Sequence, residues 1–177
     1  MLTHHGKVEC MDYKIGDVLL YIRRGVCRIT EIVERDMMGQ SNLYYVLKLI
    51  HDSKATIYVP INSKDIEAKI QRILSKEEVN DNIQAIAKDD TIWIENNNKR
   101  KECYQAIISS GDRREMLKLI KTLYKRKIAQ QEIGKKIHIA DINVMKEAEK
   151  IIYEEFSYIL DIEPEQVYSI ILEQIEK

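Results

Sequence analysis

The sequence predicts an α+β protein: a small, curled antiparallel β-module over residues 11–74, then a compact all-α bundle of about five helices over residues 75–177. Three observations carry this. Residues 13–73 break into short β-rich runs with a period of two. At Ser75 the apolar period becomes helical and stays so. The 177 residues are 45 % apolar and 32 % charged, which suits a folded chain with one medium core or two small ones.

Taken in order, Val18-Leu-Leu-Tyr-Ile22 is a strand, turned by Arg23-Arg24-Gly25, and Val26–Val33 is the next. A polar loop from Glu34 to Asn42 contains Gly39, which with Gly25 reads as a turn glycine free to take positive φ. Leu43–Ile50 sets Tyr45, Leu47 and Leu49 on one face and Tyr44, Val46, Lys48 and Ile50 on the other. His51–Lys54 is a hairpin-type loop. Ala55, Ile57 and Val59 then alternate with Thr56 and Tyr58, and Pro60 stops the ladder because it has no N–H to donate. A last short strand falls around Glu67–Ile73.

The capping box Ser75-Lys-Glu-Glu78 opens the first helix, carrying Val79, Ile83 and Ile86. After a polar stretch come Ile92-Trp93-Ile94 and a second helix from Lys99 to Ser109. Ser110-Gly111-Asp112 ends it, and Asp112 caps a third helix through about Lys127. A fourth spans Asp141 to about Leu160 on Ile142, Met145, Ala148, Ile152, Phe156 and Ile159. Pro164 fits the first turn of a fifth.

Composition excludes several classes of function. No apolar run approaches the ~20 residues that cross a bilayer. Met1–Cys10 lacks the apolar stretch of a secretory signal and reads as a loose leader, with His4 and His5 as terminal residues and Met11 as a candidate start. Cys10, Cys27 and Cys103 match no zinc spacing, and neither they nor the four histidines form a ligand set; unpaired thiols in a reducing cytosol and no metal or other cofactor are expected. No phosphate-binding glycine loop or nucleophile–base arrangement occurs, so no enzyme is expected. Glu154-Glu155 reads as part of a solvated helix face.

Charge is segregated instead. Lys99–Lys127 holds ten Lys/Arg against three Asp/Glu, and Ala140–Lys177 holds three against ten. Lys99, Arg100, Lys101, Arg113 and Arg114 form a basic patch, extended by Lys118, Lys121, Lys125, Arg126 and Lys127; Lys118, Lys121 and Lys125 align as one outer stripe of the third helix. Such a set suits phosphates contacted without base readout, or simply a solvated face. Trp93 is the sole tryptophan. It reads either as core or, given its polar flanks, as an exposed flat side chain.

Tyr13-Lys-Ile-Gly-Asp-Val-Leu-Leu-Tyr21 with Arg24-Gly-Val26 resembles the opening of the CarD/CdnL family, whose module also occurs in the transcription–repair coupling factor. Tyr44-Tyr-Val-Leu-Lys48 and Ile57-Tyr-Val-Pro60 are similar to its third and fourth strands, and Trp93 with Ser110-Gly-Asp112 extends the resemblance to about Leu160. The resemblance implies a Tudor-like β-barrel that pairs by its edge with the β subunit of bacterial RNA polymerase, and a helical domain on promoter DNA. Arg35, Lys48, Ile57, Tyr58, Val59 and Pro60 are then the polymerase-facing residues, on an edge running from Ala55 to Val59. Trp93 becomes a minor-groove wedge at the upstream edge of the melted bubble. Such a protein is a cytoplasmic, nucleoid-associated transcription regulator that shifts open-complex stability. It needs no membrane, and is a monomer or a strand-swapped dimer. An adaptor that uses the β-module alone, without DNA, is the alternative.

Overall fold

The computed structural model describes residues 13–37, 40–52 and 54–177. The readings of Cys10, His4, His5, Met11 and Gly39 lie outside these residues. Five strands form one antiparallel sheet: β1 (Val18–Tyr21), β2 (Gly25–Met37), β3 (Gln40–Leu49), β4 (Thr56–Pro60) and β5 (Ile70–Arg72), in the order β4-β3-β2-β1-β5. The sheet is open, which corrects the expected barrel. Closure requires β4 and β5 to pair; they are instead the two edges, and a single-turn helix, α1 (Ile66–Lys69), occupies chain between them.

Strand alternation sorts the sheet into two faces. With Leu19 opposite Cys27, Ile29 opposite Leu47 and Tyr45 opposite Val59, one face collects Leu19, Cys27, Ile29, Tyr45, Leu47, Val59 and Ile70 into a core of its own. Burial pushes the Cys27 thiol up to about 12, so it stays a protonated core group. The opposite face joins the helices, and its Leu20 belongs to their core. A bulge between Ile29 and Glu31 shifts the β2–β3 register.

Five helices follow: α2 (Lys76–Ala85), α3 (Asn97–Ser110), α4 (Arg113–Glu132), α5 (Ile139–Leu160) and α6 (Pro164–Ile175). The starts of α2, α4 and α6 form where the sequence places them, whereas α3 and α5 begin two residues earlier, at Asn97 and Ile139. Ser75 Oγ accepts from Glu78 N at 3.2 Å while Glu78 Oε2 accepts from Ser75 N at 2.7 Å. Asp112 Oδ1 accepts from Glu115 N, and Gly111 closes α3 in the left-handed region. A side chain at Gly111 would also strike the Gln71 amide, 2.6–2.9 Å from the added Cβ. The helix α4 runs past Lys127 to Glu132, as an exposed extension beyond its apolar stripe.

α5 is the central helix. It packs on α4, α6, α3 and α2 and against β2. Gly25, at φ +110°, lies so close to it that an added Cβ would sit 2.1 Å from Glu154 Oε2. From the β1–β2 turn, Arg23 reaches Glu147 on α5 at 3.0 Å and Gln105 and Ser109 on α3 at 2.9 and 2.7 Å. Sheet and helices are therefore bolted together by side chains as well as by apolar packing.

Glu78 also grips Arg72, at 2.6 and 2.8 Å. The Arg72 guanidinium and the Ser75 N–H hold its carboxyl down at about 2. A depressed folded value means the stabilisation is present above the ordinary carboxylate range and is lost as pH falls from about 4.5 toward about 2. Glu78→Gln is expected to lower the melting temperature at pH 7, with the gap from wild type closing as thermal melts move from pH 5 to pH 2. A gap that stays constant over that range would refute the linkage.

Candidate functional site

The basic region separates, in three dimensions, into internal and external cations. Arg100 is 3 % exposed. Its guanidinium makes a two-pronged pair with Asp141 at 3.1 and 3.0 Å, and donates to Ile94 O, Glu95 O and Asn97 Oδ1. Arg113, 8 % exposed, pairs the same way with the fully buried Glu155 at 2.8 and 2.9 Å, and also meets Gln71, Gly111 O and Arg72 O. Lys121 Nζ donates to the carbonyls of Ile86, Ala87 and Asp89, closing the C-terminal end of α2. Burial pulls its pKa below the usual lysine value.

These three residues correct the sequence reading. A guanidinium or ammonium whose donors are spent on internal acceptors has none to offer a phosphate. The outer stripe of α4 is likewise not uniform: Lys118 is half-buried on Glu115 at 2.6 Å, Lys121 is buried and Lys125 is exposed. Arg114 is exposed but forks onto Asp89 at 3.1 and 2.7 Å. Glu155, read as a solvated residue, is instead sealed in the core and also accepts from Leu74 N at 3.1 Å.

Lys99, Lys101 and Lys125 remain exposed, and Arg126 is half-buried over Trp93. The indole is neither sealed nor bare. It packs at the margin of the helical core and donates from Nε1 to Glu95 Oε1 at 2.8 Å. The guanidinium carbons of Arg100 and Arg126 lie 4.3 and 4.4 Å from its ring. Its segment of chain is pinned from three sides: Ile92 N donates to Thr122 Oγ1, Tyr104 OH donates to Ile92 O, and Arg100 holds the Ile94 and Glu95 carbonyls. Trp93 is thus presented from a fixed seat.

At the far edge of the sheet, β4 is hydrogen-bonded on one side only. Tyr58 is exposed on it, Ile57 and Pro60 are half-buried, and the Val59 side chain is core, so Val59 serves the edge by shaping the sheet rather than by touching a partner. Arg35 stacks 4.0 Å above the Tyr58 ring and donates to its hydroxyl at 2.9 Å, making one unit of two residues that the sequence placed in the same interface. Lys48 is exposed on β3.

The decisive comparison concerns this sheet. Residues 13–74 match the family model described as CarD-like/TRCF RID domain. The N-terminal module is a CarD-like RID domain. Its limits run from Tyr13, just before β1, to Leu74, just after β5. A comparison with curated proteins found no match. The RID domain contains β4 with its open edge, and Trp93 with the exposed cations lies outside it. Among the described residues no group of His, Cys, Asp and Glu is placed to hold a metal ion, and no helix is long and apolar enough to cross a membrane.

Proposed function

We propose that the chain is a transcription regulator that docks on the RNA polymerase β subunit through the β4 edge and contacts promoter DNA near the upstream boundary of the bubble. The RID match over residues 13–74 carries the polymerase half of this reading. An unpaired edge offers N–H and C=O groups in register to a partner strand. Arg35 with Tyr58, and Lys48 nearby, supply side chains alongside it.

The DNA half rests on Trp93. A half-exposed indole on a pinned segment is suited to wedge against unstacked bases. The phosphate-contacting set narrows to Lys99, Lys101, Lys125 and Arg126, joined by Arg114 and Lys118 where a phosphate outcompetes their carboxylate partners. These contacts position the domain and read no sequence. Tethering by the RID domain raises the local concentration of the helical half at the promoter, so weak contacts suffice.

Arg35→Glu is expected to abolish capture of the isolated β-subunit lobe in a pull-down, while Trp93→Ala leaves capture intact and shortens the open-complex lifetime on a forked promoter. A tenfold change in that lifetime corresponds to about 1.4 kcal/mol. The second reading is an adaptor without DNA contact, and the two guanidinium groups already on the indole favour it. An unchanged lifetime in Trp93→Ala, with capture retained, would decide for the adaptor.

A further inference from the structure

Beside Trp93 lies a half-enclosed cavity of about 180 Å³. At about 30 Å³ per water it has room for about six waters, enough for a phosphate group with part of what it is attached to. Trp93, Arg126, Gln130, Lys136 and His138 line it, and the Arg100–Asp141 pair closes one side. Glu95 also reaches it, with one oxygen engaged by the indole N–H.

Arg126 is the unusual member. Arg23, Arg28, Arg35, Arg72, Arg100, Arg113 and Arg114 all donate to an oxygen of the protein, and Arg24 stands exposed in the β1–β2 turn. Arg126 is half-buried, and among the described residues its contact is the face of Trp93. Its five N–H groups have no acceptor, in a fork geometry that matches the oxygens of a phosphate. Lys136 brings a second cation to the same cavity, which His138 also lines. Both Asp141 oxygens are already held by Arg100, so Asp141 opposes an anion little. Glu95 does oppose one, which puts the favourable end of the cavity at Arg126 and Lys136.

The geometry points to a phosphate seat in this cavity, with Arg126 and Lys136 as its anion-binding side chains and Trp93 as its wall. The ligand class is a phosphomonoester such as a nucleoside monophosphate, or a backbone phosphate of nucleic acid with the same chemistry. The seat does not require the polymerase reading: a chain that ignores promoter DNA can still bind 5′-AMP, and the reverse.

Because Trp93 is the sole tryptophan, its emission reports on the seat directly. The full chain titrated with 5′-AMP and with pyrophosphate, at ionic strength held constant with KCl, is expected to show a saturable emission change and a matching calorimetric isotherm. Arg126→Gln and Lys136→Gln should each weaken binding by about tenfold. Lys136 is exposed, so its variant keeps the test valid should Arg126→Gln perturb the indole. Displacement of 5′-AMP by a duplex lacking terminal phosphates assigns the seat to backbone phosphate, and its absence assigns the seat to free phosphomonoesters. No saturable response by either method, or unaltered affinity in both variants, overturns the proposal.

Discussion

Glu155→Ala is expected to cost about 3–5 kcal/mol of folding stability, because it strands the Arg113 guanidinium inside the protein without its counter-charge. Gln71, Gly111 O and Arg72 O would still accept from Arg113, but none carries negative charge. The Leu74 N–H would lose its acceptor as well. Urea denaturation measures the effect as a fall in midpoint at unchanged slope. The double variant Arg113→Leu with Glu155→Leu should recover most of the loss, because a buried pair has paid its desolvation cost against its own attraction. A single-variant loss under about 1 kcal/mol would mean that water reaches the pair, contrary to the sealed position of Glu155.

Arg100→Ala should be of similar size, about 3–5 kcal/mol, and should also move the functional site. It leaves Asp141 unpaired at 6 % exposure and removes the donors that hold the Ile94 and Glu95 carbonyls. These carbonyls belong to the two residues that follow Trp93, whose ring also loses the guanidinium 4.3 Å away. The Trp93 emission maximum is therefore expected to shift to the red as the indole becomes wetter. With native proteins stable by about 5–15 kcal/mol, the variant is best read at low temperature by far-UV circular dichroism and emission together. Native helix content with an unshifted emission maximum would show that Arg100 does not position the indole.

These two arginines also mark where the sequence stops being readable. Helix ends are local events: Ser75 and Glu78 are three residues apart, Asp112 meets Glu115, and Pro164 opens α6, so short-range chemistry announces them. Strand faces were equally legible, because alternation alone puts Tyr45 and Leu47 together. The roles of Arg100 and Arg113 were not, since their partners on α5 lie 41 and 42 residues downstream. Seen along the chain, they look like Lys99, Lys101 and Arg114.

A signal for them does exist on α5. Asp141, Ala148 and Glu155 fall at heptad spacing, and all three are buried on one face. Carboxylates sharing a stripe with alanine and isoleucine demand cationic partners from whatever packs there. Adjacency obscures this: Glu154 next door is only half-buried, and along the chain the pair reads as a solvated unit. Closure of the sheet is also beyond local reading, because it depends on whether β4 and β5, consecutive in the chain but at opposite borders of the sheet, meet in space.

The bolts between sheet and helices, Arg23 on Glu147 and Arg113 on Gln71 and the Arg72 carbonyl, have a consequence for scale. They tie the β1–β2 turn and β5 to the helical half, so the protein has the character of a ruler rather than a leash. Whatever grips one end fixes where the other end lands, and spacers inserted at Leu74 would be felt as a change in reach even where every contact residue is intact.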